Sequence, residues 1–187
     1  LNFLNRSNKG LFIDGSEEKV IQLKSITGLL YPFNKINVIE KFIDKDNLNL
    51  TIDKYFSKDE DIDFFSIDVD GNDYYLFENL KVRPKVICIE YNFFFGSNVK
   101  CSIPYNKNFI WDKSSYFGAS LNSLCELGKK KKYHLVALES QCVNSFFVRE
   151  DFKDKFEIID NIQNFRTPHY YSIDQIENIK KSLFDKK

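Results

Sequence analysis

The chain has 187 residues, of which 43% are hydrophobic and 16% aromatic, enough apolar surface for one compact domain and little for two, so residues 1–187 are expected to form a single domain. Lys plus Arg and Asp plus Glu balance at 27 each, which argues against a nucleic-acid partner or an anionic membrane surface and points to a small-molecule partner. No apolar stretch approaches the roughly 20 residues of a membrane span, and the N-terminal region lacks the profile of a signal peptide, so a soluble, cytoplasmic protein is expected.

In chain order, LFID (11–14) reads as a strand that turns at Gly15. Ser16 then caps a helix with Glu17 and Glu18 in its first turn and Val20, Leu23 and Thr27 along one face. INVIEKFI (36–43) is a second strand, followed by Asp44 and a polar loop KDNLN. IDFFSIDV (62–69) is apolar on both faces, as in a strand covered on both sides, and breaks at Gly71 before a short helix from Tyr74 to Leu80. KVICIEY (85–91) is the most continuous apolar run and is expected to be a central strand.

Residues 93–112 are aromatic and without period, an ordered loop longer than most connections. Phe117, Leu121, Leu124 and Cys125 mark a helix from Ser115, ended by Gly128 and the solvated run Lys129–Lys132. HLVALES (134–140) and VNSFFVR (143–149) form an antiparallel pair, since so few residues join them. Ser172 and Gln175 make a capping box ahead of Ile173, Ile176, Ile179 and Leu183, a terminal helix. The four cysteines, Cys88, Cys101, Cys125 and Cys142, contain no C-x-x-C pair and read as reduced structural residues.

Alternating strands and helices imply a mainly parallel sheet, in which ligands bind beyond the carboxyl ends of the strands. Asp14, Asp44, the Asp68–Asp73 group and Glu90–Asn92 all fall there. An EF-hand reading of the acidic group fails: with Gly71 at position 6, position 1 is Ser66 and position 12 is Phe77. As a strand end, Asp68 closes the strand, Gly71 permits the turn, and Asn72 or Asp73 caps the helix. Since adjacent strands lie about 4.8 Å apart, this group and Glu90-Tyr91-Asn92 are placed to line one crevice. The aromatics around Tyr91, Phe93–Phe95 and Tyr116-Phe117 read as core packing before they read as pocket walls. His134 and His169 lack a Ser or Cys partner at a recognisable spacing, which excludes a hydrolytic triad.

FIDGSEEK, FIDKDNLN, DFFSIDVDGNDYYLFENL, PKVICIEYN, YFGASLNSL and VNSFFVRED follow one another as in FkbM-like S-adenosylmethionine-dependent methyltransferases, which the chain resembles up to about residue 155. The pairing of S-I-D-x-D-G-N-D with I-E-Y-N is the most specific part of the likeness. The resemblance implies a Rossmann-like class I methyltransferase fold, an α/β three-layer sandwich whose seven-stranded sheet is mostly parallel with one antiparallel strand near the C-terminus. It further implies that S-adenosylmethionine is bound by Asp14 at the ribose hydroxyls with Gly15 and Ser16 beside it, by Asp44 near the adenine, and by Asp68 near the methyl donor. Asp68, Asp70, Glu90 and Asn92 are implied as the catalytic residues facing a small-molecule acceptor. A divalent ion between Asp70 and Asn92 is compatible with the sequence, which assigns none.

The family's first strand and glycine-rich loop are expected ahead of residues 1–10, and LNFLNRSNKG reads as the tail of the helix after that loop, so the domain is read as N-terminally incomplete. The alternative is a non-catalytic interaction domain of the same fold that has lost cofactor binding. The central strand would then be replaced by direct pairing of its neighbours or by another chain, which leaves a homo-oligomer open.

Overall fold

The computed structural model of the chain describes residues 9–96 and 98–162, together with 175, 177–179 and 181. The fold is mixed α/β with two sheets, and its contacts gather into two compact units that divide between Ser57 and Lys58.

In the first unit, β1 (Lys9–Asp14) and β2 (Lys35–Glu40) pair in parallel, with Leu11 opposite Asn37 and Asp14 opposite Glu40. Between them runs α1 (Glu17–Leu30), where the Lys19 N–H donates to Ser16 Oγ at 3.4 Å as the sequence led one to expect. Tyr31 ends the helix by donating its N–H to Thr27 O. β2 stops three residues short of its expected end, and the polar segment read as a loop runs at Leu48 into α2 (Leu48–Ile52). The cause is Asp44, whose Oδ1 accepts the N–H groups of Asp46 and Asn47 at 2.8 Å each while its carbonyl accepts the Leu48 N–H, satisfying donors a helix start leaves open.

The second unit is built on β3 (Phe64–Ile67), β4 (Val86–Glu90), β5 (Tyr133–Leu138) and β6 (Asn144–Arg149), in the order β3-β4-β6-β5. β3 and β4 are parallel, and β6 runs antiparallel to both β4 and β5. The described strands therefore number six in two sheets, with two parallel and two antiparallel pairings, where a single seven-stranded sheet was expected. α3 (Asp73–Asn79) and α4 (Leu121–Lys130) pack on each other, on β3 and on β5 respectively.

Phe77 of α3 sits in the middle of this core, its ring centroid 6.0 Å from that of Tyr133 and 6.1 Å from that of Phe147. Phe77 and Phe147 are fully buried, each contributing about 1.5–3 kcal/mol by leaving water. Tyr133 donates its hydroxyl to Pro84 O at 2.7 Å, so a buried polar tip is paired.

Two readings of α4 change. The helix begins at Leu121, with Ser120 accepting the Ser123 N–H, and it continues through Gly128 to Lys130. A Cβ on Gly128 would lie 3.2 Å from the Phe147 ring, so this glycine serves close helix-to-sheet packing and does not stop the helix. Lys131, read as solvated, donates Nζ to Glu78 O and Leu80 O at 3.0 Å each and satisfies carbonyls at the end of α3.

All four cysteines are free, and no helix among the described residues is long and apolar enough to cross a membrane. Of the terminal helix, Gln175, Glu177–Ile179 and Lys181 are helical. The Ser172 cap, Ile173, Ile176 and Leu183 lie outside the described residues, as do His169 and residues 1–8.

Candidate functional site

The parallel register of β3 and β4 sets Ile67 opposite Ile89, so Asp68 and Glu90 emerge next to each other as the strands end. Asp70 joins them because its backbone adopts a left-handed φ of 59°, which Asp tolerates better than most residues. One carboxylate oxygen from each of Asp68, Asp70 and Glu90 lies within 4.8 Å of the others, Asp68 and Asp70 exposed and Glu90 half-buried. The acids at the two strand ends are thus brought together.

A fourth acid stands behind these three. Asp73, only 1% exposed, takes the Val69 N–H on Oδ1 at 2.9 Å and so folds its carboxyl back across the turn. Burial pushes its pKa up to about 7 against the opposing pull of that hydrogen bond, and the charge of Asp68 raises it further. Burial likewise pushes Glu90 up to about 8, helped by the charges of Asp73, Asp68 and Asp70. Asp73 Oδ2 and Glu90 Oε2 are buried and have no hydrogen-bond partner. The sequence offered Asp73 only as a helix cap. What separates it from its neighbours is burial, which a run of polar residues does not announce.

The long loop after β4 is fastened around this turn. Asn72 occupies the cap position of α3 without a side-chain capping bond. Its Nδ2 instead donates to Asn106 O at 2.8 Å, and the Asn106 N–H returns to Oδ1 at 3.4 Å. The Phe109 ring presses on Gly71, where a Cβ would lie 2.4 Å away. Gly71 was expected to permit a turn; the left-handed residue is Asp70, and Gly71 is there for space. Asn92 is fully buried, donates Nδ2 to Ser115 O at 2.8 Å and Phe117 O at 2.9 Å, and accepts the Phe94 N–H at 2.9 Å. The side chain expected to line the crevice is engaged in holding the far end of the loop. Tyr91 and Phe93–Phe95 are buried core residues, while Trp111 and Tyr116 are exposed.

The residues implied for the cofactor belong to the first unit. Asp14 ends β1 with Oδ1 accepting the Ser16 N–H at 2.8 Å and Oδ2 at 3.8 Å from Lys19 Nζ; its side chain is 28% exposed. Gly15 makes room for Phe42, whose ring would lie 2.7 Å from a Cβ there. Ser16 caps α1, and Asp44, 7% exposed, organises the entry to α2. In the second unit a cavity of about 280 Å³ is lined by residues of α4, β5 and 158–162 that include Cys125, His134 and Ile159. His134 there is paired with Glu150 at 2.5 Å.

Residues 7–131 match the family model described as the methyltransferase FkbM domain. No curated protein and no solved structure matches the chain.

Proposed function

Because the chain belongs to the FkbM methyltransferase domain family, we propose that it transfers a methyl group from S-adenosylmethionine to a small-molecule acceptor held at Asp68, Asp70 and Glu90. The observation that carries this reading is the convergence of those three carboxylates, from the ends of two paired strands, inside the matched region. S-adenosylmethionine, when bound, supplies an electrophilic methyl on a sulfonium. The acceptor must arrive in line and lose its proton, and both tasks fall to the acids.

A carboxylate with a pKa near the working pH is the most effective proton acceptor, and Glu90 at about 8 is nearest that condition. Asp68 and Asp70, exposed at the mouth, orient the acceptor through hydrogen bonds. Asn92 and Asn72 act by holding the loop in place, and positioning to within an ångström is worth orders of magnitude in rate.

The chemistry of Asp14 fits the ribose. Its carboxylate is oriented by the Ser16 N–H yet partly exposed, and each oxygen has a second lone pair for a hydroxyl. Gly15 and Ser16 fix that geometry, and Asp44 shapes the turn proposed to face the adenine. The family match runs across the division at Ser57, which supports one methyltransferase-like domain over 1–187 with a Rossmann-like arrangement. A cytoplasmic location and action without nucleic acid or membrane complete the proposal.

Calorimetric titration of the full-length protein with S-adenosylmethionine tests it. Binding that weakens at least about tenfold in Asp14→Ala, the loss of about 1.4 kcal/mol, is expected. No heat of binding to the wild type, or unchanged affinity in the variant, refutes it.

A further inference from the structure

We propose that the Phe42 ring is the platform on which the adenine of S-adenosylmethionine stacks, with the ribose hydroxyls on Asp14 beside it. The backbone sets this up. β2 ends at Glu40, yet the Lys41 N–H still donates to Asp14 O at 2.9 Å, so the chain leaves β2 alongside the end of β1. Phe42 comes next, and its ring lies against Gly15, the residue after Asp14, with Cδ1, Cε1 and Cζ at 3.0, 2.7 and 2.9 Å from where a Cβ would stand. Only glycine leaves room for an aromatic edge there.

The ring is both exposed and held. Phe42 is 79% exposed. Asn47 Nδ2 donates to Phe42 O at 3.1 Å, and Asn47 Oδ1 accepts the Asp44 N–H at 3.2 Å. A single exposed aromatic residue is ordinary on a protein surface. What distinguishes Phe42 is that its main chain is tied at Lys41, at its own carbonyl and at Asp44, while its ring has a glycine seat. The aromatic surface offered to water is therefore preorganised, which lowers the ordering cost of binding a ligand on it.

The chemistry beside the ring selects the ligand. Asp14 is 28% exposed, its Oδ1 is oriented by the Ser16 N–H, and Lys19 Nζ stands 3.8 Å from Oδ2, an arrangement that leaves lone pairs for two neighbouring hydroxyls. A flat apolar ring next to a carboxylate that takes vicinal hydroxyls matches a nucleoside, whose base stacks while its ribose hydrogen-bonds. Asp44, the residue implied for the adenine, is 7% exposed and accepts the Asp46 and Asn47 N–H groups on Oδ1, so it shapes the turn while Phe42 meets the base. This deepens the proposed function and rests on it for the identity of the nucleoside.

The experiment is calorimetric titration of the full-length protein with S-adenosylmethionine and, separately, with adenosine, in the wild type and in Phe42→Ala, Phe42→Tyr and Phe42→Trp. Stacking of a base on an aromatic side chain predicts that Phe42→Ala loses at least about fivefold in affinity for both ligands, and that Phe42→Tyr and Phe42→Trp stay within about twofold of the wild type. A spectroscopic readout separates stacking from a structural role. Trp111 is the only tryptophan, so Phe42→Trp combined with Trp111→Phe puts the sole indole at position 42. Saturating adenosine should quench its fluorescence and ribose should not, with circular dichroism checking the fold. Unchanged or tighter binding by Phe42→Ala, which would make the ring an obstacle where the base belongs, overturns the proposal, as does an indole signal that adenosine leaves unaltered. Binding of S-adenosylmethionine that survives intact in Phe42→Ala removes the platform and leaves the proposed function standing. Quenching by adenosine without binding of S-adenosylmethionine removes the methyl donor and keeps the platform for a purine nucleoside, and a wild type that binds neither ligand removes both.

Discussion

Replacing Asn92 by Ala isolates what holds the long loop to the end of β4. The side chain is 0% exposed and makes three hydrogen bonds to backbone, donating to Ser115 O and Phe117 O and accepting from Phe94 N. Truncation strands two carbonyls and one N–H where water has poor access. At about 1–3 kcal/mol for each group left unsatisfied, with part recovered by relaxation, the expected loss is about 3–5 kcal/mol. That is a large share of the roughly 5–15 kcal/mol that holds a typical domain together. Urea denaturation followed by far-ultraviolet circular dichroism measures it. Limited trypsin digestion supplies a local readout, because Lys107 and Lys113 lie in the loop and should be cut faster in the variant than Lys129–Lys132. Asn92→Asp should cost at least as much, since a carboxylate meets the two carbonyls with no proton to give. A change of less than about 0.5 kcal/mol in Asn92→Ala, the range of an ordinary surface substitution, would refute the clamp.

Gly71→Ala forces a Cβ to within 2.4 Å of the Phe109 ring, and overpacking of this kind costs about 1–3 kcal/mol; Phe109→Ala in the same chain should recover most of it, and additive losses in the denaturation midpoints would contradict the contact. Stability should depend on pH through Asp73 and Glu90, whose folded pKa values are raised from 3.8 to about 7 and from 4.5 to about 8. Raised carboxyl values mean that the folded state holds protons the unfolded state has released, so stability is highest below about pH 4 and falls as pH rises toward 7 and 8. For Asp73 the loss is on the order of 4 kcal/mol, and Asp73→Asn should flatten the slope between pH 5 and pH 8; an equal slope in the variant would show that the acid is not buried as described.

Strand positions were legible because β-branched and aromatic runs carried them, and the two acidic clusters were legible because strand ends in an α/β chain are where polar residues gather. The short helix Leu48–Ile52 was hidden because its start is organised by Asp44, four residues upstream, and not by a cap next to it. Gly128 misled because a glycine near a lysine run resembles a helix stop, while its reason is the Phe147 ring, distant in sequence. The different fates of Asp70, Asp73 and Asn92 were equally out of reach. One is exposed in a left-handed turn, one is buried with an unpaired oxygen, and one is consumed by a loop that returns from residues 115–117. Sequence placed them in one region, and packing assigned their tasks.

The central claim is that these acids perform methyl transfer, and it is tested most directly by following tritium from methyl-labelled S-adenosylmethionine into a deproteinised small-molecule extract. Wild-type protein should label a low-molecular-weight product. Glu90→Gln should lower that rate by at least about 100-fold, the typical contribution of a positioned proton acceptor, while binding S-adenosylmethionine as the wild type does. Transfer undiminished in Glu90→Gln, or no transfer by a wild-type protein that binds the labelled donor, would contradict the account.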